Sequence, residues 1–540
     1  MKDTISNRLG PDKTVAVHLL SIAVILLLRI FWMRIITREG AGIAAAPVDI
    51  LIIAIAFLVF GCEHGVSGMI RLYSKKRRYR NAKDYADRIM LICLGTGIAA
   101  GGMIIILSLA FAKQLFYMQI TFLSFIAAAG AIILLSATGA VRGILAGFGF
   151  GFADIICDLI FCVCAFCFSI SLGGTLFRYG LKINALLQRT DLAAGYGALG
   201  AVTGITIAAA VTLAAALIMS RISRRKRDEI IRGGEQRYLG SGQSIRNQIL
   251  IYGLMYALPF IMQVIDERIY ISMASATGVK GNLIDNWGIY CAGVLPFIGI
   301  LVCLFIIPFL KGTYELSAAI SHKDRHEAIR QLSDGSRFLM SGVFQAAIYS
   351  AVLSELILRA IYRTPTDSAV SVVRFAAGLI IVCPPAFLTS VVLLRLRKFR
   401  AVFLNIVCGV VVHFLAMILI NVIAKPEIVS VPLAHISMFL VIGGMGYLEI
   451  VKMIHARPEW ARMIGLPLIC SAVSSAAVWG FCRLLAPVVG EILTVLISAL
   501  AGILICLLLL LVFRVLDEFE VERIPGGSML VLFARGFHLI

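Results

Sequence analysis

Long apolar runs alternate with short basic segments along almost the whole chain of 540 residues. A helix needs about 20 consecutive apolar residues to cross a membrane, because lipid cannot hydrogen-bond a bare backbone. Fourteen such runs predict about fourteen transmembrane helices in an all-α polytopic membrane protein. The predicted spans are residues 14–36, 45–70, 89–112, 119–141, 150–173, 195–220, 249–275, 286–310, 337–361, 370–394, 401–424, 433–453, 463–485 and 492–513.

The composition excludes several classes of protein. Hydrophobic residues make up 60% of the chain, charged residues 15%, and the mean hydropathy is +0.96. Soluble chains are about half apolar and about a quarter charged, so a soluble enzyme, a disordered chain and a nucleic-acid-binding domain are all excluded. The 13 cysteines fall inside apolar runs. We therefore expect no disulfide framework, no metal site and no cofactor.

The distribution of Lys and Arg predicts the orientation in the membrane. If the N-terminus is cytoplasmic, the inner segments carry 35 of the 49 basic residues. Short cytoplasmic loops hold this excess, so both termini are predicted to be cytoplasmic and the net charge of +19 is assigned to loops, with no nucleic acid as a partner. Three arginines (29, 34 and 38) follow the first apolar core, which predicts an uncleaved first helix rather than a signal peptide.

Two amphipathic basic segments suggest an internal repeat. One contains Ala82 and the other Ala328, an offset of 246, and each leads into a new apolar run. A repeat of this kind is typical of transporters built from two bundles. The predicted domains are a six-helix lobe (1–220), a cytoplasmic basic linker (221–248), a second six-helix lobe (249–453), two additional helices (454–513) and a cytoplasmic tail (514–540).

The sharpest candidate for function is Arg29, which follows fifteen uncharged residues. A charge this deep normally faces a cavity or a partner. A guanidinium in a cavity has the geometry to bind a phosphate or diphosphate oxygen. Arg34, about one turn later, and Arg268 are further substrate-binding candidates. The alternative for Arg29 is an internal salt bridge to a carboxylate on another helix.

Acidic residues inside the spans are candidates for ion coupling. Asp266 and Glu267 either hold a proton or sodium ion, neutralise an arginine, or lie at a solvated helix end. Asp158 shares a helix face with Asp154, and two close carboxylates favour proton binding. For Asp154 itself, interfacial water at the inner helix end is favoured. Glu63 is the last candidate.

Glu63 has a neighbouring histidine, His64. Either the two side chains form a pH-sensitive pair, or His64 has a purely structural role.

Several segments resemble one family in the same order along the chain. LRIFWMRIITREGAG (28–42) is similar to the first-helix pattern of the stage V sporulation protein B and polysaccharide flippase group. GCEHGVSGMIRLYSKKRRYRNAKDYADR resembles that group's second helix and inner loop, and RGILAGFGFGFADIICD its turn before the fifth helix. MQVID, IIPFLKGTYE, SELILRAIY and VERIPGGSMLVLFARG resemble later motifs, so the resemblance covers nearly the whole chain.

The resemblance implies the multidrug/oligosaccharidyl-lipid/polysaccharide (MOP) exporter fold, which is MATE/MurJ-like with two six-helix lobes and two C-terminal helices. It also implies a flippase in a bacterial cytoplasmic (inner) membrane that moves polyprenyl-diphosphate-linked sugar to the outer leaflet by alternating access. Membrane lipid, and H+ or Na+, are the other implied partners. Arg29 falls on the family's first-helix cavity arginine. The chain departs from the pattern at Asp158, where Gln is usual, and at Glu63 with His64, which replace neutral residues.

Two alternatives remain open at this point. A cation-coupled multidrug exporter of the same fold usually has twelve spans and an acidic residue in the first helix. A polytopic glycosyltransferase or ligase would need catalytic carboxylates or His in a large outer loop. The longest predicted outer loop, residues 178–191, offers one Asp and no His, so an enzyme is not expected.

Overall fold

The computed structural model describes residues 11–75, 78–116, 121–190, 192–232, 243–276, 283–362, 366–423, 427–518, 521 and 527–536. In this part of the chain, helices account for the regular structure and no strand occurs. Contacts between Cα atoms divide the chain into two compact units, Met1–Pro296 and Phe297–Ile540. The predicted all-α fold is confirmed.

Among its described residues, the first unit contains ten helices and two π-helical segments. The helices are α1 (Pro11–Ile35), α2 (Thr37–Ile55), α3 (Cys62–Lys75), α4 (Tyr79–Phe116), α5 (Thr121–Gly147), α6 (Phe152–Leu187), α7 (Leu192–Ile222), α8 (Arg224–Arg232), α9 (Gln243–Ala276) and α10 (Leu283–Gly288). The π-helical segments are Ala56–Gly61, which joins α2 to α3, and Ile289–Val294, which follows α10.

The second unit begins inside α11 (Leu295–Ile306), which a 3₁₀ turn (Ile307–Phe309) joins to α12. The helices that follow are α12 (Leu310–Ser321), α13 (Arg325–Val352), α14 (Ser354–Tyr362), α15 (Asp367–Ala376), α16 (Gly378–Arg395), α17 (Phe399–Ile423), α18 (Ser430–Ile454), α19 (Leu466–Val489), α20 (Glu491–Val512) and α21 (Gly527–Gly536). A third π-helical segment, Ala461–Gly465, precedes α19.

Thirteen helices in the described part of the chain are long and apolar enough to span a membrane, against the fourteen predicted. The difference lies in the ninth predicted span, 337–361. There the structure has α13, whose first three turns carry several charges, and the separate helix α14. The helix break at Leu353 divides the apolar run. The chain is a multi-pass membrane protein.

A tight connection joins α1 to α2. Ile36 lies between them, and Thr37 has φ of 69°, a left-handed conformation that β-branched residues rarely adopt. The Gly40 N–H donates to the Thr37 hydroxyl at 3.4 Å. The two helices then pack against each other, which brings residues on α1 opposite residues on α2.

Small residues allow α6 and α7 to pack closely against each other. A Cβ at Gly200 would lie 2.9 Å from Gly173 N, and one at Gly204 would lie 2.4 Å from Ser169 Cα. Only glycine permits such close approach of helices. This packing fixes α6 against α7 and places one face of α6 toward α1.

Side-chain hydrogen bonds hold the additional C-terminal helices to the second unit. The Tyr349 hydroxyl on α13 donates to Ser474 Oγ on α19 at 2.9 Å, and Gln345 Nε2 donates to the Gly502 carbonyl on α20 at 3.4 Å. In the first unit, α9 packs on α2 and α3. The predicted lobe boundaries lie at residue 220 and at residue 249, within α9. They stay predictions, because the contacts of this one helix do not define a lobe.

Candidate functional site

One face of α1 carries the polar residues from which two buried charged centres are built. His18, Arg29 and Trp32 recur at helical spacing and are all at most 1% exposed. Residues 18 and 29 are separated by about 16 Å along a helix axis. Trp32 Nε1 donates to Ser169 Oγ at 3.0 Å, and Ser169 in turn donates to the Ala201 carbonyl at 2.8 Å. This face of α1 is therefore fixed against α6 and α7.

The first centre, the Arg29 centre, is an ion pair between Arg29 on α1 and Asp49 on α2. Arg29 Nη2 donates to Asp49 Oδ1, and both side chains are buried. Within the described residues, Arg29 Nε and Nη1 have no hydrogen-bond acceptor and Asp49 Oδ2 has no donor. Asp49 therefore neutralises Arg29 but uses only one of its three nitrogens.

Glu267 on α9 completes the surroundings of the Arg29 centre. It lies beside Trp287 and within electrostatic range of both Arg29 and Asp49. Trp287 belongs to α10, which packs closely on α2: a Cβ at Gly42 would lie 2.5 Å from the Ile284 carbonyl. The buried environment therefore contains one guanidinium and two carboxyl groups.

The second centre, the Arg142 centre, surrounds Arg142 on α5 with three carboxyl groups. Arg142 Nη1 and Nη2 donate to the two oxygens of Asp158 at 2.5 and 3.0 Å. Nη2 also donates to Glu63 Oε2 at 2.9 Å, and Nε lies 3.7 Å from Asp154 Oδ1. His18 Nε2 lies 3.2 Å from the same Glu63 oxygen. All five side chains are buried, and they come from α1, α3, α5 and α6.

Charge in the Arg142 centre does not balance if all its acids are ionised. Three carboxylates and one guanidinium sum to a net charge of −2 when His18 is neutral. The guanidinium of Arg142 faces all three carboxyl groups. Because uncompensated buried charge is costly, the centre has the chemistry of a site that takes up a proton or a small cation.

Aromatic rings cover the Arg142 centre on the side of α9. The imidazole of His18 stacks on Phe60 at 3.9 Å between ring centroids, and His64 stacks on Tyr252 at 4.5 Å. Phe60 belongs to the π-helical segment directly before α3, and π segments often occur at functional sites. The extra residue of this segment sets the direction of Glu63.

The structure tests where the predicted site residues lie. Glu63 and Asp158 meet at Arg142, whereas Arg34 is exposed near the end of α1 and Arg268 is half-buried on α9. Asp266 is buried ten residues before the end of α9, so the solvated-end alternative is wrong for it.

Two further expectations need correction. Asp154 was expected in interfacial water, yet it is 2% exposed beside Arg142, because the N-terminal end of α6 packs against α5. The alternative of a salt bridge from Arg29 to a carboxylate on another helix is confirmed, but the partner is neither Asp266 nor Glu267. The partner is Asp49.

Three residues that complete these centres were not predicted from the sequence: Asp49, Arg142 as a charge partner, and His18. Asp49 and Arg142 each had a signal. Asp49 is a lone acid between Pro47 and an apolar run, and Arg142 is a lone base within ATGAVRGILAG. Both satisfy the rule that an intramembrane ionisable residue is a site candidate.

Comparison with known proteins supports the fold. No protein-family model matches the sequence, and no curated protein matches it. The structure is similar to a multidrug resistance MATE family transporter of the MOP superfamily in an inward-facing conformation, at 15% identity over 81% of this chain and 94% of that one, with a TM-score of 0.57. This chain therefore shares the helical fold of that transporter.

Two other solved structures align over most of their length. A MOP superfamily transporter from Pyrococcus furiosus matches at 19% identity over 84% of this chain and 98% of that one, with a TM-score of 0.51. The lipid II flippase MurJ in an inward closed conformation matches at 14% identity over 92% and 98%, with a TM-score of 0.49. At sequence identities this low, structural similarity shows a shared fold and nothing about function.

Proposed function

We propose that this protein is a flippase that moves a lipid-linked, diphosphate-bearing sugar from the inner to the outer leaflet of a bacterial cytoplasmic membrane by alternating access. The observation that carries the proposal is Arg29, a fully buried guanidinium with two nitrogens, Nε and Nη1, that meet no acceptor among the described residues. Planar recognition of phosphate oxygens by arginine uses such paired N–H groups. The MOP-superfamily fold supports a transporter over an enzyme.

Asp49 gives Arg29 a counter-charge when no anion is bound. A diphosphate entering the centre would compete with Asp49 for the guanidinium, and protonation of Asp49 would release Arg29 for the substrate. Arg29 would thus change its partner during transport: it binds Asp49 in one state and the diphosphate in another. Arg34 and Arg268 are proposed as additional substrate contacts along the path.

Ion coupling is proposed for the Arg142 centre. Glu63 and Asp158 hold Arg142, and the excess negative charge of the centre favours uptake of H+ or Na+. Since α1 contributes both His18 and Arg29, a change of charge at one centre reaches the other through one helix. Glu267, beside the Arg29 centre, and Asp266, the residue before it on α9, are the remaining candidates.

Reconstitution tests the proposed function. Purified protein in proteoliposomes should make a fluorescent polyprenyl-diphosphate sugar accessible to an impermeant enzyme or quencher on the opposite leaflet, faster than protein-free vesicles do. The same lipid with a monophosphate should move more slowly, because it offers fewer oxygens to Arg29. Absence of flipping with every lipid-linked diphosphate sugar supplied would contradict the proposal.

Coupling has a separate test. Asp158→Asn and Glu63→Gln should reduce the dependence of flipping on an imposed pH or Na+ gradient while leaving lipid binding measurable. Unchanged gradient dependence in both variants would assign these carboxyl groups a structural role only.

A cation-coupled multidrug exporter is the second candidate function. The buried carboxyl groups of the Arg142 centre favour it, since cation exchange requires such groups, and it needs no lipid-linked sugar. Drug efflux from vesicles under a cation gradient, without flipping of any lipid-linked sugar, would select this alternative.

A further inference from the structure

A polar pocket of 540 Å³ in the first unit is lined by none of the charged residues of the two buried centres. The start of α4, the ends of α5 and α7, and the short helix α8 form its walls. Four basic and two acidic side chains line it: Lys83, Arg221, Arg224, Arg227, Asp87 and Asp228. We call it the α8 pocket.

The charge of the α8 pocket is positive and only partly balanced. Arg224 Nε lies 3.7 Å from Asp228 Oδ2, and Arg227 Nη1 donates to Ser220 Oγ at 3.4 Å. Four cations against two carboxylates leave a charge of +2 on the lining. Basic side chains converging on one cavity are a site for phosphate oxygens.

The floor of the α8 pocket is apolar. Ala86, Phe148 and Ile231 line it and also pack into the buried core between α3, α4 and α5. Ile222, next to the pocket at the end of α7, is 75% exposed. The pocket therefore lies where membrane-spanning helices end, with basic groups beside apolar surface.

We propose that the α8 pocket binds the phosphate headgroup of an anionic phospholipid, with the acyl chains along the adjoining apolar helix surfaces. A free phosphate would be recognised by the same cations but would gain nothing from the apolar floor. A lipid held here clamps α8 to α4 and α5, the helices that carry the core next to Glu63. This site is separate from the proposed transport path, so its test needs no transport.

Helix α8 provides a matched control for the experiment. Arg224 and Arg227 line the pocket, whereas Arg225 and Lys226 are exposed on the same helix and do not. The variant Arg224→Gln/Arg227→Gln removes two charges from the pocket. The variant Arg225→Gln/Lys226→Gln removes two charges from the same segment outside it.

The measurement is the affinity of the purified full chain for short-chain phosphatidylglycerol, by thermal shift and native mass spectrometry, with phosphatidylcholine and inorganic phosphate as parallel probes. Each basic group near an anionic lipid contributes about fivefold to binding. The pocket variant should therefore lose about 25-fold in phosphatidylglycerol affinity, and the control variant less than about threefold.

Other outcomes overturn the proposal. Equal losses in both variants would mean general attraction of a basic segment to an anionic surface. Equal stabilisation by inorganic phosphate and phosphatidylglycerol would mean a free-phosphate site. If the first variant does not fold, Lys83→Gln/Arg221→Gln removes two charges from the opposite walls and must show the same selective loss.

Discussion

Arg29 and Asp49 form a charge pair where apolar side chains would pack without penalty. Replacing a buried ion pair by hydrophobic residues is often neutral or stabilising, whereas removing one partner costs about 3–5 kcal/mol. Stability alone therefore does not explain this pair. The proposed exchange of Arg29 between Asp49 and an anionic substrate would explain it.

The depth of Arg29 could be predicted from the fifteen uncharged residues before it. Its partner could not, because helix pairing and rotation decide which of several acids lies opposite. The same holds for Glu63 and Asp158, which are 95 residues apart in sequence yet share Arg142.

Arg142 allows a direct test at the residue scale. Arg142→Gln should lower the melting temperature and folded yield strongly, because it leaves three buried carboxyl groups without a cation. Adding Asp158→Asn should restore part of the loss. Size-exclusion of a fluorescent fusion and thermal melting in detergent measure both quantities. A single variant as stable as the parent would mean that the carboxyl groups are neutral without Arg142.

At the scale of elements, α1 is the common member of both charged centres. Its buried face runs through His18, Arg29 and Trp32. Opposite it, α2 supplies Asp49 to Arg29 and α3 supplies Glu63 to His18. A tilt or bend of α1 would change both centres together. The helix is thus placed to link ion binding to substrate binding.

The apolar runs in the sequence predicted the helices. They did not predict the irregular segments. The π-helical segments and the break between α13 and α14 depend on tertiary packing rather than on hydrophobic period. The Ala56–Gly61 segment matters most, because it sets the direction of Glu63.

Glycine packing gives a prediction at this scale. Gly200→Ala should lower the melting temperature, because the new Cβ would press on the backbone at Leu172 and Gly173 of α6. Gly102→Ala on α4 is the control, since its Cβ would meet nothing within 4 Å and alanine favours helix by about 0.5–1 kcal/mol. Equal melting temperatures for the two variants would contradict the observed α6–α7 contact.

At the scale of the whole molecule, the basic residues predict which ends of the helices are cytoplasmic. Residues 75–88 and 221–248 are predicted inside and Lys182 outside. Lys76 and residues 233–242 of these segments lie outside the described residues. Lys226 and Lys182 are both exposed, so each is accessible to a labelling reagent.

Single cysteines at these positions test the topology. In a cysteine-free background, Lys182→Cys should react with an impermeant maleimide in intact cells, and Lys226→Cys should react only after permeabilisation. Labelling of Lys226→Cys from outside would overturn the predicted arrangement of fourteen spans.

The central claim is that Arg29 binds the diphosphate of the transported lipid. Two variants separate this role from a structural one: Arg29→Ala alone, and Arg29→Ala/Asp49→Asn, which removes both members of the buried pair. Arg178→Ala, an exposed arginine on α6, is the control. Arg29→Lys distinguishes charge, which would keep part of the activity, from bidentate geometry, which would keep almost none.

The deciding measurement is the rate at which Arg29→Ala/Asp49→Asn flips a lipid-linked diphosphate sugar in proteoliposomes, normalised to folded protein. We predict folded yield near that of the parent, since both members of the ion pair are removed together, with flipping reduced about a hundredfold, as loss of a buried charge-assisted phosphate contact implies. The control should flip at the parent rate. Flipping at the parent rate by the double variant would show that Arg29 and Asp49 serve only the fold.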